Sequence, residues 1–464
     1  MKDLSMEDTI TALATPPGEG GISVIRISGD KAVPIAEKLF QSAKKDKVRD
    51  YLTHTVHLGW ISDSCGQKVD QVLLSVFRAP NSYTGEDVVE ISGHGGRRVT
   101  QRILEAVISA GARMAEPGEF TKRAFLNGKM DLTQAEAVLD LIRAKSDLAT
   151  RTALRQLEGA LSVRLRGLKD LLMQVYAHME AFLDFPEEDL EIYSNETFVI
   201  LFGKIEAEMA KLLMSFDRSV FLKEGITCVF AGKPNVGKSS LFNALLARDR
   251  ALVSEHAGTT RDALEESVEI GGISIRLVDT AGLGHRSENP LDKIGMDRTR
   301  HVLESAQLVL FVVDSSAPLE EADVIIFRES VKERPFLVLM NKSDCPEKIN
   351  TGSLQQLCGV SDFIRVSAQK QDGLDALQAR IEKIISDTGI HEESEQITRL
   401  RHKKALEAAL ESLRRAKESF QKKESLDLVS LDLKVALDQL SELLGEIYSE
   451  DLLDVIFSEF CIGK

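Results

Sequence analysis

The chain has 464 residues, with 58 Lys or Arg against 73 Asp or Glu, and 43% of its residues are hydrophobic. At roughly 150 residues per domain, this length predicts about three domains with hydrophobic cores and excludes a disordered or fibrous protein. A net charge of -15 argues against coating of a polyanion by the whole surface, so any nucleic-acid contact must use a local basic patch.

The apolar runs are short, and the longest, at residues 308–313 and 336–340, fall far below the roughly 20 residues that cross a bilayer. Residues 1–8 are polar and acidic, unlike a secretory signal or a transit peptide. The five cysteines contain no Cys-x-x-Cys pair, which suggests neither a zinc site nor a disulfide framework. We therefore expect a cytoplasmic protein without a membrane segment.

Short runs of alternating apolar and polar residues, separated by Gly, Pro and Asn, fill the N-terminal part. The runs at 22–27, 72–77 and 88–91 predict strands, and the apolar spacing at 99–110 predicts a helix. These elements predict an α+β domain over residues 1–119.

Beyond Leu132 the apolar residues recur three and four apart, which predicts helices to about residue 221, and the tail from Ile397 to Phe460 has the same period. Between the two stretches, strand-like runs alternate with helical segments, as in a doubly wound parallel sheet. The expected architecture is an α/β domain at 221–388, inserted between two parts of one helical domain at 120–220 and 389–464.

A phosphate-binding loop is predicted at residues 232–239, Gly-Lys-Pro-Asn-Val-Gly-Lys-Ser, between a strand and a helix. Its glycines let backbone N–H groups surround a phosphate. Lys238 would direct its charge to the β- and γ-phosphates, and the Ser239 hydroxyl would bind Mg²⁺. The alternative is a glycine-rich turn without a ligand, and three further motifs in the expected order argue against it.

The first of these motifs is Asp279-Thr280-Ala281-Gly282, which places Asp279 near the metal and the Gly282 N–H near the γ-phosphate. In the second, Asn341-Lys342-Ser343-Asp344, the final carboxylate can accept both the ring N–H and the exocyclic amine of guanine. Adenine offers neither donor in that arrangement. The third motif provides backbone N–H groups for the guanine carbonyl and consists of Ser367, Ala368 and Gln369. The substrate predicted from these motifs is GTP.

The segment 258–262 offers Thr260 as the switch hydroxyl that binds Mg²⁺ when the γ-phosphate is present. Leu283 follows the Asp-Thr-Ala-Gly motif, where Ras-like GTPases carry a Gln that orients the attacking water. Another group must therefore position that water. A cation held beside Asn235 is a candidate for the charge that an arginine finger supplies elsewhere.

Together with blocks in the N-terminal part and the end Phe-Cys-Ile-Gly-Lys at 460–464, these motifs resemble the tRNA modification GTPase MnmE family, also called TrmE, over essentially the whole chain. The resemblance implies a potassium-activated, Ras-like P-loop GTPase that forms a homodimer through its N-terminal domain. With the flavoprotein MnmG, such a protein adds a carboxymethylaminomethyl or aminomethyl group to carbon 5 of the wobble uridine of certain tRNAs.

The resemblance also implies site residues. Magnesium would be bound by Ser239 and Thr260. Potassium would be bound by the Asn235 side chain and by a loop that contributes mostly backbone carbonyls, at Ser254, His256 and Thr259; a solvent-facing His256 is compatible with this. The full set expected to contact GTP is Asn235, Val236, Gly237, Lys238, Ser239, Ser240, Ser254, Glu255, His256, Ala257, Gly258, Thr259, Thr260, Asp279, Thr280, Ala281, Gly282, Asn341, Lys342, Asp344, Ser367, Ala368 and Gln369.

The family's catalytic Glu lies two residues before an Ile-Gly pair, and the matching position here is Asp292, before Ile294 and Gly295. Asp is one methylene shorter than Glu, so Glu288 is kept as the alternative. Either residue can also be a solvated loop carboxylate without a catalytic role.

Four N-terminal blocks, at 15–21, 80–87, 93–96 and 117–129, look like the family's framework for a tetrahydrofolate derivative in the 5-formyl or methylene form. The implied contacts are Arg26, Glu90, Lys129 and Lys464. A carboxylate can pair with the aminopyrimidine edge of a pterin, and Arg or Lys can bind carboxyl groups. Alternatively, Arg26 and Glu90 lie on an exposed strand face or form a structural salt bridge. Cys461 would lie near the folate, or is simply a small, partly buried residue.

The rival hypothesis is a regulatory or assembly GTPase, such as a ribosome-maturation factor, without modification chemistry. The N-terminal blocks and the end of the chain argue against it, because a pure assembly switch needs neither. Basic side chains on the predicted helices, such as Arg143, Lys145, Arg151 and Arg155, would form a tRNA-facing patch or merely a solvated helix face.

Overall fold

A computed structural model of the chain describes residues 8–184, 194–252, 265–279, 306–332, 334–387 and 396–464. The chain divides into two compact units. Unit 1 consists of Met1–Leu139, Gln156–Glu206 and Ala405–Lys464, and unit 2 consists of Asp140–Arg155 and Ala207–Lys404.

The strands within these ranges are β1 (Ile10–Leu13), β2 (Gly20–Ser28), β3 (Phe40–Ser42), β4 (Thr55–Ser62), β5 (Lys68–Phe77), β6 (Val88–Gly95), β7 (Arg113–Met114), β8 (Ile226–Ala231), β9 (Glu265–Ile270), β10 (Ile273–Asp279), β11 (Leu308–Asp314), β12 (Phe336–Asn341) and β13 (Ile364–Arg365).

The α-helices in the same ranges are α1 (Ala32–Leu39), α2 (Arg97–Ser109), α3 (Glu119–Leu126), α4 (Leu132–Arg143), α5 (Asp147–Leu157), α6 (Ala160–Asp184), α7 (Asn195–Glu224), α8 (Lys238–Leu252), α9 (Glu321–Val331), α10 (Thr351–Cys358), α11 (Leu374–Asp387), α12 (Leu400–Gln421), α13 (Leu426–Leu444) and α14 (Glu450–Ser458). Among these described helices, none is both long and apolar enough to cross a membrane.

Unit 1 is built on a seven-stranded sheet in the order β3-β4-β5-β6-β2-β1-β7. Its neighbours pair antiparallel except β1 and β7, which run parallel. Helices α1 and α2 cover one face, where the strands bury a continuous apolar core. On the other face, alternation along the strands exposes an apolar patch on β4 and β5, which we call the bare sheet face and which consists of Val56, Leu58, Trp60 and Leu73.

The helices of unit 1 include segments from both helical stretches of the sequence. Phe420 of α12 packs against Phe198 and Phe202 of α7, with ring centroids 5.3 and 5.9 Å apart. Glu206 accepts hydrogen bonds from Arg414 and Lys417 of α12 at 2.8 and 2.7 Å. Residues far apart in sequence therefore form one helical packing layer in this unit.

Unit 2 is built on a six-stranded sheet in the order β13-β12-β11-β8-β10-β9. Five strands are parallel, as predicted. Strand β9 instead runs antiparallel to β10 and was not predicted from the sequence. The cause is its composition, Glu-Glu-Ser-Val-Glu-Ile, which lacks an apolar run. It pairs because the Gly271-Gly272 turn, with φ of 61° and 77°, closes a hairpin.

Strands β8 and β11 are buried on both faces, which explains their continuous apolar composition. Leu308, Leu310 and Val312 pack into one core of unit 2, whereas Val309 and Phe311 pack into the core on the opposite face. Because these strands run parallel, their carboxyl ends and the loops that follow them lie at one end of the sheet.

Candidate functional site

The loop at 232–239 leaves β8 and enters α8 with two positions that only glycine tolerates. Gly232 has a φ of +147°, and a Cβ there would lie 2.3 Å from the Val312 carbonyl oxygen. Gly237 has a φ of +95°, and a Cβ there would lie 2.2 Å from Asn341 Nδ2. Asn235 adopts a φ of 65°, a left-handed conformation that Asn tolerates better than most residues. The backbone is thus shaped as a phosphate loop requires.

Lys238 is buried, and its ammonium group is held at the start of the loop. Nζ donates hydrogen bonds to the carbonyl oxygens of Gly232 at 2.8 Å and Lys233 at 2.7 Å. Ser239 and Ser240 follow with exposed side chains at the first turn of α8. Backbone N–H groups at a helix N-terminus favour an anion, so the loop, the helix and the lysine together suit a phosphate.

The base-recognition motifs lie beside this loop. The buried Asn341 side chain donates from Nδ2 to the Val236 carbonyl at 2.8 Å and accepts from the Ala368 N–H at 3.2 Å. Asp344 Oδ1 accepts a hydrogen bond from the Ser367 hydroxyl at 2.6 Å, which holds the pKa of this carboxyl below its ordinary value. The structure therefore brings together the phosphate loop, the Asn341–Asp344 motif and the Ser367–Ala368 motif, and the lowered pKa keeps the Asp344 carboxylate ionised.

Asp279 is the last residue of β10 and pairs in register with Phe230 of β8, so its backbone reaches the same sheet edge as the phosphate loop. The remaining predicted nucleotide, metal and catalytic residues lie outside the described residues; they are Ser254, Glu255, His256, Ala257, Gly258, Thr259, Thr260, Thr280, Ala281, Gly282, Glu288 and Asp292.

Asp314, at the end of β11, belongs to the site but was missed from the sequence. Its Oδ2 accepts a hydrogen bond from Lys342 Nζ at 2.6 Å, and its Oδ1 accepts from the N–H and hydroxyl of Ser316 at 2.9 and 2.6 Å. Burial alone would raise the pKa of Asp314, but the bonds from Lys342 and Ser316 outweigh it and lower the pKa. An Asp directly after a buried parallel strand was the available signal.

A second charged cluster lies in unit 1, on the sheet face opposite α1 and α2. Arg26 of β2 pairs in register with Glu90 of β6, and its Nε donates to Glu90 Oε1 at 2.8 Å. Its Nη1 donates to the Gly463 carbonyl at 3.4 Å. The guanidinium also lies 5.4 Å from the ring centroid of Tyr83 and 5.6 Å from that of Phe120. The salt bridge that the sequence offered as an alternative is thus present, and two aromatic rings lie next to its guanidinium.

The end of the chain completes this cluster. Gly463 has a φ of +101°, and a Cβ there would lie 2.4 Å from the Leu13 carbonyl oxygen, so glycine is required for this close approach to the sheet. Burial lowers the pKa of the Lys464 ammonium, the positive charge of Arg26 lowers it further, and Glu90 opposes both. Lys464 is therefore a cation that an added anion would stabilise.

The fourth predicted folate contact, Lys129, belongs to the same unit but makes a different contact, and so does Cys461. Lys129 Nζ donates to the Pro80 carbonyl at 3.0 Å, on the loop that carries Tyr83. The Cys461 side chain is exposed rather than partly buried, and its carbonyl accepts from the Gly118 N–H at 3.5 Å. Arg26, Glu90 and Lys464 therefore lie together in one cluster. Lys129 instead contacts the loop that carries Pro80 and Tyr83.

The described residues also line a cavity of about 500 Å³ between the loop at 16–20 and α2. One of its lining residues, Ser23, shares the sheet face of the buried Ile25 and Ile27. Arg26 lies on the opposite face because successive side chains alternate along a strand. This cavity is therefore separate from the Arg26–Glu90–Lys464 cluster.

The doubly wound sheet, the phosphate loop and the Asn341 and Asp344 motif define unit 2 as a Ras-like P-loop GTPase module. Two family descriptions match the chain, "GTP-binding protein TrmE N-terminus" over residues 9–129 and "MnmE helical domain" over residues 132–461. The chain belongs to the MnmE family of tRNA modification GTPases. It is a GTPase that acts in tRNA modification.

The full-length relatives agree with this. The tRNA modification GTPase MnmE of Clostridioides difficile (strain 630) is 42% identical over 460 residues, covering 99% of this chain and 100% of that protein. The MnmE of Aquifex aeolicus (strain VF5) is 44% identical over 462 residues, with the same coverage. Among solved structures, Aquifex aeolicus Era bound to GDP and AlF4⁻ is 25% identical and covers 40% of this chain and 66% of its own chain. The TM-score of this match is 0.28, too low to support an argument from the structural likeness.

Proposed function

We propose that this protein is a potassium-activated GTPase that acts with the flavoprotein MnmG on the wobble uridine of certain tRNAs. It adds a carboxymethylaminomethyl or aminomethyl group to carbon 5, with a tetrahydrofolate derivative as one-carbon donor. The observation that carries the proposal is the presence, in one chain, of a guanine-nucleotide site and of the Arg26–Glu90–Lys464 cluster. A ribosome-assembly switch needs the first site but not the second.

Magnesium fits the oxygen donors at the nucleotide site. The Ser239 hydroxyl is exposed at the start of α8, and β10 ends with Asp279 at the same sheet edge. Thr260 is the second protein ligand by family resemblance. Mg²⁺ prefers such oxygen ligands, and when bound it neutralises charge on the transferred phosphate.

Potassium is proposed to bind at Asn235, with Ser254, His256 and Thr259 supplying further ligands. Support comes from the Asn235 side chain, which is exposed on the phosphate loop, and from Leu283, which cannot orient water as a Gln does. A bound monovalent cation supplies the positive charge that an arginine finger supplies in other GTPases.

The potassium proposal is tested by hydrolysis rates in potassium and in sodium. Asn235→Gly removes the side chain amide but keeps the left-handed backbone that Ala would strain. We expect the wild-type protein to hydrolyse GTP faster in potassium and Asn235→Gly to lose that difference while still binding nucleotide. Equal wild-type rates in the two salts would refute potassium activation.

Asp292 is proposed as the carboxylate that positions the attacking water, in the place of the family's Glu. We expect Asp292→Asn to slow hydrolysis without loss of GDP affinity, while the matched change Glu288→Gln leaves the rate near that of the wild type. The opposite pattern, with a slow Glu288→Gln and a normal Asp292→Asn, would transfer the role to Glu288.

The Arg26–Glu90–Lys464 cluster fits a folate. The Glu90 carboxylate can pair with the pterin edge, and the two cations suit the carboxyl groups of the ligand. Burial and the neighbouring Arg26 lower the pKa of Lys464 despite the opposing charge of Glu90, so a bound anion would favour the charged form of this side chain. When bound, the folate supplies the one-carbon unit, and the residues of this chain bind and orient it.

The bare sheet face supports a homodimer formed through unit 1. Val56 and Leu58 of β4 are 61% and 49% exposed and Leu73 of β5 is 45% exposed, on the same side of the sheet as Arg26 and Glu90. A contiguous exposed apolar patch of this kind marks an interaction surface. We expect Leu58→Glu to be monomeric in analytical ultracentrifugation, while Ile200→Glu, at an exposed apolar position on α7, stays dimeric; a dimeric Leu58→Glu would contradict this interface.

MnmG and tRNA are the further partners, and the cytoplasm is the proposed location. The experiment that tests the modification itself is mass spectrometry of tRNA nucleosides from a strain without this protein. We expect loss of the wobble uridines substituted at carbon 5 and their return when the gene is restored. Unchanged nucleosides in the deletion strain would favour an assembly GTPase.

A further inference from the structure

The second residue of the phosphate loop, Lys233, makes an ion pair that the predicted GTP contacts leave unexplained. Its Nζ lies 2.8 Å from Asp323 Oδ2 and 3.0 Å from Glu320 Oε2, and its side chain is only 17% exposed. Glu320 and Asp323 are the N-cap and third residue of α9, where they form a capping box. The phosphate loop is thus tied to the N-terminus of a neighbouring helix.

The buried carboxylate of Asp323 depends on the Lys233 ammonium for charge compensation. The Asp323 side chain is 3% exposed. Its Oδ2 pairs with the Lys233 ammonium and also accepts a hydrogen bond from the backbone N–H of Glu320 at 2.9 Å. Its Oδ1 is buried and has no hydrogen-bond partner among the described residues. A buried carboxylate left without its cation is strongly unfavourable, so the pair holds the loop against α9 more firmly than an exposed salt bridge would.

The ion pair of Lys233 constrains the segment 233–235. Gly232, before it, is fixed under the Val312 carbonyl, and Val236, after it, is fixed by the bond from Asn341. Within the segment, the Lys233 carbonyl also accepts a hydrogen bond from Lys238 Nζ. The ion pair of the Lys233 side chain therefore restrains a residue whose carbonyl is one of the two that orient Lys238 and that lies two positions before the left-handed Asn235.

We infer that Lys233 is a positioning residue for GTP hydrolysis: through Asp323 it holds the segment 233–235 in the geometry that the transition state requires. GDP binding depends mainly on the base contacts and on the start of α8, which other bonds hold in place. A displacement of about 1 Å near the phosphates costs up to about 100-fold in rate, because the transition state tolerates less misplacement than the bound nucleotide. This inference rests on the GTPase activity of the family and requires neither potassium nor folate.

The test compares binding of GDP with binding of GDP plus aluminium fluoride, a transition-state mimic, together with kcat and KM at one fixed salt composition. The variants are Lys233→Met and Asp323→Asn, with Lys233→Arg to restore the ion pair. The matched control is Arg380→Met, which breaks the exposed 2.8 Å pair with Asp362 in the same unit.

We expect Lys233→Met and Asp323→Asn to lower kcat and the affinity for the aluminium fluoride complex by about 10-fold, with KM and GDP affinity nearly unchanged. Lys233→Arg and Arg380→Met should behave as the wild type. Equal losses of both affinities in Lys233→Met would show a merely structural role and overturn the inference, as would an unchanged kcat. Equal wild-type rates in potassium and sodium would instead refute the potassium proposal and leave this comparison intact.

Discussion

The two charged sites of this protein are assembled in different ways. The nucleotide site of unit 2 is made from loops at the carboxyl ends of parallel strands, and it is cross-linked by its own side chains, as in the bond from Asn341 to Val236. The Arg26–Glu90–Lys464 cluster of unit 1 lies on the face of an antiparallel sheet. Arg26 meets Glu90 across a strand pair and meets the carbonyl of Gly463, which is 437 residues away in sequence.

This difference has consequences for how each site responds to change. In the nucleotide site, the predicted contact residues lie within short motifs, and the backbone of the phosphate loop requires glycine at Gly232 and Gly237. In the cluster, the charged side chains come from three separate segments, and Arg26 and Glu90 form an ion pair with each other. We therefore expect single substitutions to have large effects on GTP hydrolysis and moderate effects on folate binding.

The largest effect is expected from Lys238→Ala. The change removes the charge directed to the phosphates and leaves the Gly232 and Lys233 carbonyls without their donor. We expect kcat for GTP to fall by about 1000-fold, while folate affinity stays at the wild-type value because the cluster lies in the other unit. Steady-state phosphate release and calorimetry with 5-formyltetrahydrofolate measure the two quantities, with the exposed Lys383→Ala as control. A parallel loss of folate affinity would show that the two sites do not respond independently to substitution.

The next effect concerns base choice. Asp344→Asn replaces one carboxylate acceptor by an amide donor, which suits xanthine, whose ring presents an acceptor where guanine has its amine. We expect GTP affinity to fall by about 100-fold or more, with a gain for xanthosine triphosphate. Glu347→Gln, at an exposed carboxylate in the same unit, is the control. Full GTP affinity in Asp344→Asn by direct titration would remove Asp344 from the base site.

A smaller effect is expected from Glu90→Gln or Arg26→Met in unit 1. Each removes one charge-assisted contact to the ligand, worth about 1.5 to 3 kcal/mol, so folate affinity should fall by about 10- to 100-fold. GTP hydrolysis should be unaffected. The partly exposed pair Arg102–Asp63 of the same unit supplies the control Arg102→Met. Unchanged affinity for 5-formyltetrahydrofolate in both variants, measured by calorimetry, would make the Arg26–Glu90 pair a purely structural salt bridge.

The smallest effect is on proton binding. Burial and Arg26 lower the pKa of Lys464, and an anionic ligand would raise it again. Folate binding should therefore take up protons at pH values near and above the lowered pKa, and affinity should decline as the pH rises through this range. Calorimetry in buffers of different ionisation enthalpy detects the uptake, and Lys464→Met should abolish it. Proton release on binding would contradict the sign of this linkage.

The order of strands and loops around the candidate nucleotide site could be predicted from the sequence because residue type and spacing determine these elements. The parallel strands are continuous apolar runs, and the phosphate loop and the Asn341 motif follow them directly. Sequence could not show that Asp314 holds Lys342 or that Asp323 holds Lys233, since these pairs depend on tertiary packing of separate elements. The polar strand β9 was missed for the same reason, because its pairing comes from a glycine hairpin rather than from apolar content.

The cluster in unit 1 was found only through family resemblance. Neither Arg26 nor Glu90 stands in a distinctive local pattern, and the approach of Gly463 to β1 is a long-range contact. The domain limits at 119, 220 and 388 and the roles of Thr260 and Asp292 remain predictions.

The most direct test of the central claim, that both sites serve one tRNA modification, is nucleoside mass spectrometry in a deletion strain that carries Glu90→Gln, Asp344→Asn or the wild-type chain. We predict that both variants lose the wobble uridines substituted at carbon 5, although purified Glu90→Gln hydrolyses GTP at the wild-type rate. Wild-type levels of modified uridine in the Glu90→Gln strain would contradict a role of the cluster in the modification.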